Sequence, residues 1–89
     1  MLRITPIHDQ DSVVTLKLEG RIHDAWVGLL ELECGRLLDI RKHILLDCAQ
    51  VSFVDPEGVE LLRRLSNGHL RLIHCPAFIT DLLGEGDHT

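Results

Sequence analysis

Two carboxylates, Asp47 and Asp55, bracket a segment that follows an apolar run. Paired carboxylates at that place could do general acid–base work, because ligands of parallel α/β sheets often sit at strand ends. Ser52 lies between them but has no nucleophile-elbow glycines around it. Six histidines and three cysteines raise the question of a metal site. His74 and Cys75 are adjacent, so on a strand they point to opposite faces. There is no Cys-x-x-Cys or His-x-x-x-His pair of the kind that structural zinc sites use, and no Gly-x-x-x-x-Gly-Lys phosphate loop. Cys34 and Cys48 read as buried small hydrophobes, and His23-Asp24 as a solvated turn before a helix. On these grounds the chain is expected to have no catalytic residues, no metal and no cofactor. A small enzyme using Asp47 and Asp55 is the reading from another class.

The chain must position these residues with one small core. Eighty-nine residues make a single domain over residues 1–89, with a frayed tail from about 84. A chain of this size buries only about 60–65% of its unfolded surface. Forty-five per cent of its residues are apolar but only three are aromatic, so the core must be aliphatic. The net charge of −5 argues against a nucleic-acid partner, which needs a basic face. No apolar run reaches the roughly 18 residues that span a bilayer, and no signal peptide opens the sequence, so direct membrane insertion is not expected. An odd number of widely spaced cysteines points to reduced thiols and a cytoplasmic location.

Residues 2–7 alternate and contain Pro6, as suits an edge strand. His8 to Ser12 is a polar turn. Residues 13–19 form a second strand with Val14, Leu16 and Leu18 on one face. Residues 20–24 leave the sheet, and Asp24 is a candidate N-cap for a helix over 25–38 with an apolar face of Trp26, Leu29, Leu30, Cys34 and Leu37. Gly28 or Gly35 could mark close packing there. After a turn at 40–42, His43 to Cys48 is the central strand. Its run Ile44-Leu45-Leu46 has the character of a strand covered on both faces. Ala49 to Val54 is a crossing loop. A second helix from Pro56 to about Ser66 presents Val59, Leu62 and Leu65 to the core, with Leu61 beside them. Glu60 is placed to pair with Arg64, and Asn67-Gly68 ends the helix, with Gly68 in a left-handed cap. His69 to Cys75 is the last strand, and a short helix through Phe78, Ile79, Leu82 and Leu83 begins at Pro76. The expected fold is a small α/β layer: a mixed sheet of about four strands, an N-terminal hairpin followed by parallel crossovers, packed with helices.

The best-defined local signal is Asp55-Pro56-Glu57-Gly58. Asp55 can cap a helix through its carboxylate, Pro56 suits the first helical position, and Glu57 and Glu60 complement the positive end of the dipole. Capping alone accounts for Asp55, Pro56 and Glu57. Phe53-Val54-Asp55, then Gly58-Val59 and a Leu-Leu pair after a hydrophobic strand, also resemble the STAS domain, which includes bacterial anti-sigma-factor antagonists. The likeness covers residues 2 to 83; many members continue with a further strand and a longer helix. In that family an Asp is followed directly by a serine that a partner kinase phosphorylates, adding about −2 of charge at the contact surface. Here that position is Pro56, which has no hydroxyl. Glu57 supplies a fixed carboxylate one residue on, rotated about 100° around the helix.

The resemblance implies a protein-binding module that regulates transcription without the serine switch. Its contact residues would be Asp55, Pro56, Glu57, Gly58, Glu60, Arg63 and Arg64. Its partner would be an anti-sigma factor with a kinase-like ATP-binding fold, with a second copy of the chain as another candidate. An alternative the family offers is a STAS subunit of a membrane transport complex that docks on its ATPase.

Overall fold

Alternating apolar residues build a four-stranded sheet whose spatial order follows the chain, β1-β2-β3-β4. A computed structural model describes residues 1–10, 12–66 and 68–84. The elements are β1 (Leu2–Gln10), β2 (Val13–Ile22), α1 (Ala25–Asp39), β3 (His43–Val54), α2 (Pro56–Leu65), β4 (Leu70–Ile73) and α3 (Ala77–Gly84). β1 and β2 form the expected antiparallel hairpin, and β2, β3 and β4 run parallel. Pro6 sits on the edge strand where a missing donor is tolerated, and the register shifts between Pro6 and His8.

Both crossovers step the same way across the sheet. Right-handed connections that advance in one direction must leave α1 and α2 on the same face. One core results: Val14, Leu16 and Leu18 of β2, Ile44, Leu46 and Cys48 of β3, Leu30 and Cys34 of α1, and Leu61 and Leu62 of α2 all belong to it. Among the described residues no helix lies over the other sheet face. Leu45 and Ile73 there are half-buried, and Val13 and Ile7 are exposed. The expectation of a strand covered on both faces is therefore corrected: the first half of β3 alternates, with Ile44, Leu46 and Cys48 turned to the helices and Leu45 turned away. The extents of 32 × 31 × 19 Å fit such a two-layer plate.

Several boundaries differ from expectation. β1 continues through Gln10, so the polar turn is shorter than His8–Ser12; Asp11 lies outside the described residues. β2 runs on to Ile22 and β3 to Val54, because Gly20 pairs with Val51 and Ile22 with Val54. Two register irregularities, between Lys17 and Glu19 and between Gly20 and Arg21, hide this pairing by breaking the two-residue period. The segment expected as a crossing loop is thus strand. β4 is shorter than expected, ending at Ile73, where His74 turns at φ 56°. On α1 the core stripe is Leu30 and Cys34 with Trp26, Val27, Leu37 and Leu38 half-buried, and Leu29 faces outward. Neither Gly28 nor Gly35 marks close packing, since a Cβ at either would meet nothing within 4 Å. Burial pushes the thiols of Cys34 and Cys48 up to about 12, as expected of sulfurs acting as core atoms. Asn67, assigned to the end of α2, and the tail from residue 85 lie outside the described residues.

The end of α1 has a complete Schellman arrangement. Arg41 N–H donates to the Leu38 carbonyl at 3.0 Å and Lys42 N–H to that of Leu37 at 3.0 Å. The left-handed position, usually glycine, is Arg41 at φ 63°. A side chain there costs about 1 kcal/mol. Arg41→Gly is accordingly expected to keep or raise stability, by up to about 1 kcal/mol, in urea unfolding followed by circular dichroism.

Candidate functional site

The site is built where β3 gives way to α2. Asp55 stands at the N-cap with extended backbone, and its Oδ1 accepts the Gly58 N–H at 2.7 Å. Pro56 follows at the first helical position. This is the start expected from the sequence. The second carboxylate oxygen has a role that was not expected: Oδ2 accepts the backbone N–H of Asp24 at 3.0 Å. Asp24 holds φ 51° and, against expectation, does not cap α1 with its side chain. That side chain instead meets His23 Nδ1 at 2.7 Å. The Asp55 N–H donates to the Ile22 carbonyl at 3.0 Å. One residue therefore ties the start of α2 to the connection between β2 and α1.

Gly58 lets α2 approach the sheet. A Cβ there would lie 2.8 Å from Val54 Cγ1 and 3.0 Å from Ile22 Cγ2, both side chains of the packed sheet end. Gly58 is buried, so its place among the contact residues is corrected: it sets the helix position and offers no surface. The remaining expected residues share one exposed arc of α2. Pro56, Glu57, Glu60, Arg63 and Arg64 all face solvent, spanning roughly 120° at 100° per residue. The margins of the arc differ. Arg63 reaches the α3 side, donating to the Leu82 carbonyl at 3.0 Å with Glu60 at 3.9 Å. Arg64 crosses to α1 and meets Glu31 at 2.9 Å, so the expected Glu60–Arg64 pair is replaced by Glu60–Arg63. Glu57 has no ion pair among the described residues.

Next to this arc is an apolar surface that the sequence reading missed. Phe53, Phe78 and Leu82 are 39%, 37% and 43% exposed, unusually wet for residues of their size. With Ser52, Val54 and Asp81 they line a groove of about 480 Å³ between the end of β3 and α3. The Arg21 guanidinium lies 5.0 Å from the Phe53 ring centre, and His23 meets the same ring edge-on at 6.3 Å. Both phenylalanines of the chain are in this patch. Their rarity was the available signal.

Asp47 and Asp55 do not form a pair. Seven residues of mostly extended chain lie between them, a separation of roughly 20–25 Å. Asp47 instead accepts the Ala49 N–H at 3.1 Å and faces His74 Nδ1 at 3.3 Å. Among the described residues no group of three or more His, Cys, Asp or Glu could hold a metal ion. No helix there is long and apolar enough to cross a membrane.

The architecture is that of the STAS fold. No family model matches the sequence, and no curated protein matches it. Among solved structures, the unphosphorylated form of the anti-sigma factor antagonist SpoIIAA superposes with a TM-score of 0.57 at 18% identity, over 67% of this chain and 56% of that one. An anti-sigma factor antagonist from Mycobacterium paratuberculosis superposes with a TM-score of 0.64 at 17% identity, over 81% of this chain and 64% of that one. Mglu is also similar, with a TM-score of 0.57 at 23% identity over 73% of this chain and 17% of its own. The chain thus spans less than two thirds of the length of each of these three.

Asp55→Ala removes a cap and the exposed bond to the Asp24 amide, and is expected to cost roughly 1–3 kcal/mol. Gly58→Ala forces two core side chains aside and should cost about 1–3 kcal/mol. Glu57→Ala should stay within about 0.5 kcal/mol. Urea unfolding of the three variants checks the order.

Proposed function

We propose that this chain is a protein-binding module of the anti-sigma-factor-antagonist kind, and that it regulates transcription by engaging an anti-sigma factor with a kinase-like ATP-binding fold. The contact surface is the exposed arc Pro56, Glu57, Glu60, Arg63 and Arg64 together with Phe53, Phe78 and Leu82. The observation that carries this reading is the exposed Phe53–Phe78–Leu82 groove beside a rigidly capped helix start. An apolar centre with a charged rim is how protein interfaces are made, and aromatic anchors supply most of their energy. The STAS fold shared with two anti-sigma factor antagonists supports the choice of partner. Asp55 acts as a positioning residue: its carboxylate is engaged by two backbone amides.

Pro56 gives the surface a fixed state. It is exposed at the first helical position, where a serine could be reached by a kinase, but it offers no hydroxyl. Binding by this module is therefore constitutive and is set by the abundance of the chain. Glu57, one residue on and turned about 100° away, leaves the Pro56 direction uncharged.

The test is capture of the chain from its source lysate with and without ATP, followed by mass spectrometry and rebinding of the purified partner. A kinase-like anti-sigma factor is the expected partner. Phe78→Asp should weaken its binding at least tenfold, about 1.4 kcal/mol or more, with the circular dichroism unchanged. With that kinase and ATP, Pro56→Ser should take up one phosphate and the native chain none. Transport-complex subunits as the captured partner would overturn the reading, as would undiminished binding by the Phe78 variant.

A further inference from the structure

Two of the three cysteines meet in the core. Cys48 lies on β3 and is fully buried, and Cys75, half-buried, lies between β4 and α3. Both are free thiols. They pack in the same apolar cluster, and their sulfurs are within hydrogen-bonding reach of each other. We propose that Cys48 and Cys75 are a reversible disulfide site, closed by exchange with a low-molecular-weight disulfide such as oxidised glutathione, and that closure pins α3 to β3.

The backbone brings the pair together. Ile44, Leu46 and Cys48 of β3 face the helices, as do Leu70 and Leu72 of β4. Asp47 pairs with Ile73, so the two strands are in register up to the residue before Cys48. Continued as a strand, β4 would turn His74 to the helices and Cys75 to the other face. His74 instead takes φ 56°, and the chain bends so that Cys75 joins the core cluster. A residue held in a strained conformation points to a use for what it positions. Sulfurs also serve as small core atoms. That role accounts for Cys34, buried on α1 with the charge of Glu33 as its neighbour. It does not account for the bend that sets one thiol against another.

Cys75 takes the first attack, because it is the more exposed of the two. Burial raises both thiols, Cys48 to about 12, but hydrogen bonding from Cys48 draws Cys75 back down. The Cys75 thiolate attacks one sulfur of oxidised glutathione. A mixed disulfide forms, the glutathione disulfide breaks and one glutathione thiolate leaves. Cys48 gives its proton to solvent and attacks the Cys75 sulfur. The Cys48–Cys75 bond forms and the second glutathione thiolate leaves. Two protein thiols are oxidised and one glutathione disulfide is reduced to two thiols. Burial slows the first step, and contact favours the second, which is intramolecular. Pro76 follows Cys75, and its carbonyl accepts the N–H groups of Ile79 and Thr80 at 3.0 and 3.2 Å. Cys75 is thereby joined to the first turn of α3. A bond to Cys48 closes the loop that holds α2 and β4 and fixes the helix that carries Phe78 and Leu82.

The experiment equilibrates the full chain in glutathione redox buffers of increasing oxidation, quenches by alkylation, and maps the product by mass spectrometry without reduction. The expected product is a monomer lighter by two hydrogens, cross-linked between Cys48 and Cys75, with Cys34 alkylated, and reopened by dithiothreitol. Its thermal midpoint should rise by at least about 5 °C, and amide hydrogen exchange should slow in α3. Cys75→Ser should abolish the cross-link and Cys34→Ala should retain it. A glutathione adduct that stays on Cys75, a bond to Cys34, a disulfide-linked dimer, a chain left open in oxidised glutathione, or a closed form with unchanged exchange in α3 would each overturn the proposal.

Discussion

The two carboxylate oxygens of Asp55 hold together three parts of the chain. One oxygen takes the Gly58 amide in the first turn of α2 and the other the amide of Asp24, 31 residues earlier. The part-buried cap to Gly58 is worth about 0.5–2 kcal/mol, and the exposed bond to Asp24 less, since water competes for it. The pair also sets geometry. With the helix start fixed from within and from across the sheet, and Gly58 seating the first turn against Val54 and Ile22, the exposed arc of α2 can have only one position relative to Phe53.

Direction of winding supplies the second constraint. Because both crossovers advance the same way, the described residues form a helical side and a sheet side with no helix over it. The core belongs wholly to the helical side. α3 then extends the helical layer beside α2 and brings Phe78 and Leu82 up to the end of β3. The apolar groove is thus a product of the topology: it opens where the longest strand outruns its four-residue neighbour.

Local chemistry was legible in the sequence and long-range chemistry was not. Asp55-Pro56-Glu57-Gly58 declares a helix start because each residue acts on its immediate neighbours. The alternation of Val14, Leu16 and Leu18 declares a strand for the same reason. The second half of β3 was unreadable because Ala49, Gln50 and Ser52 fall among its apolar residues and two register shifts break the period. Phe53 was missed as a surface residue for that reason: its facing depends on the irregularity beside it. The left-handed turn at Arg41 had no glycine or asparagine to announce it. The second bond of Asp55 goes to a backbone amide, and a backbone amide has no signature in a sequence. The STAS fold was legible because its motif and its order of elements are both local patterns.

The bond between Asp55 and Asp24 has a kinetic meaning as well. Only the β1–β2 hairpin is local in this chain; both other strand pairings wait on a crossover, and such pairings form late because loop-closure entropy opposes them. The Asp24 amide reaches Asp55 through the β2–β3 pairing that sets Ile22 beside Val54. The platform for α2 is therefore a product of tertiary pairing and not of local structure. A chain with its hairpin and helices formed but β3 undocked would still lack this arrangement of α2 beside Phe53.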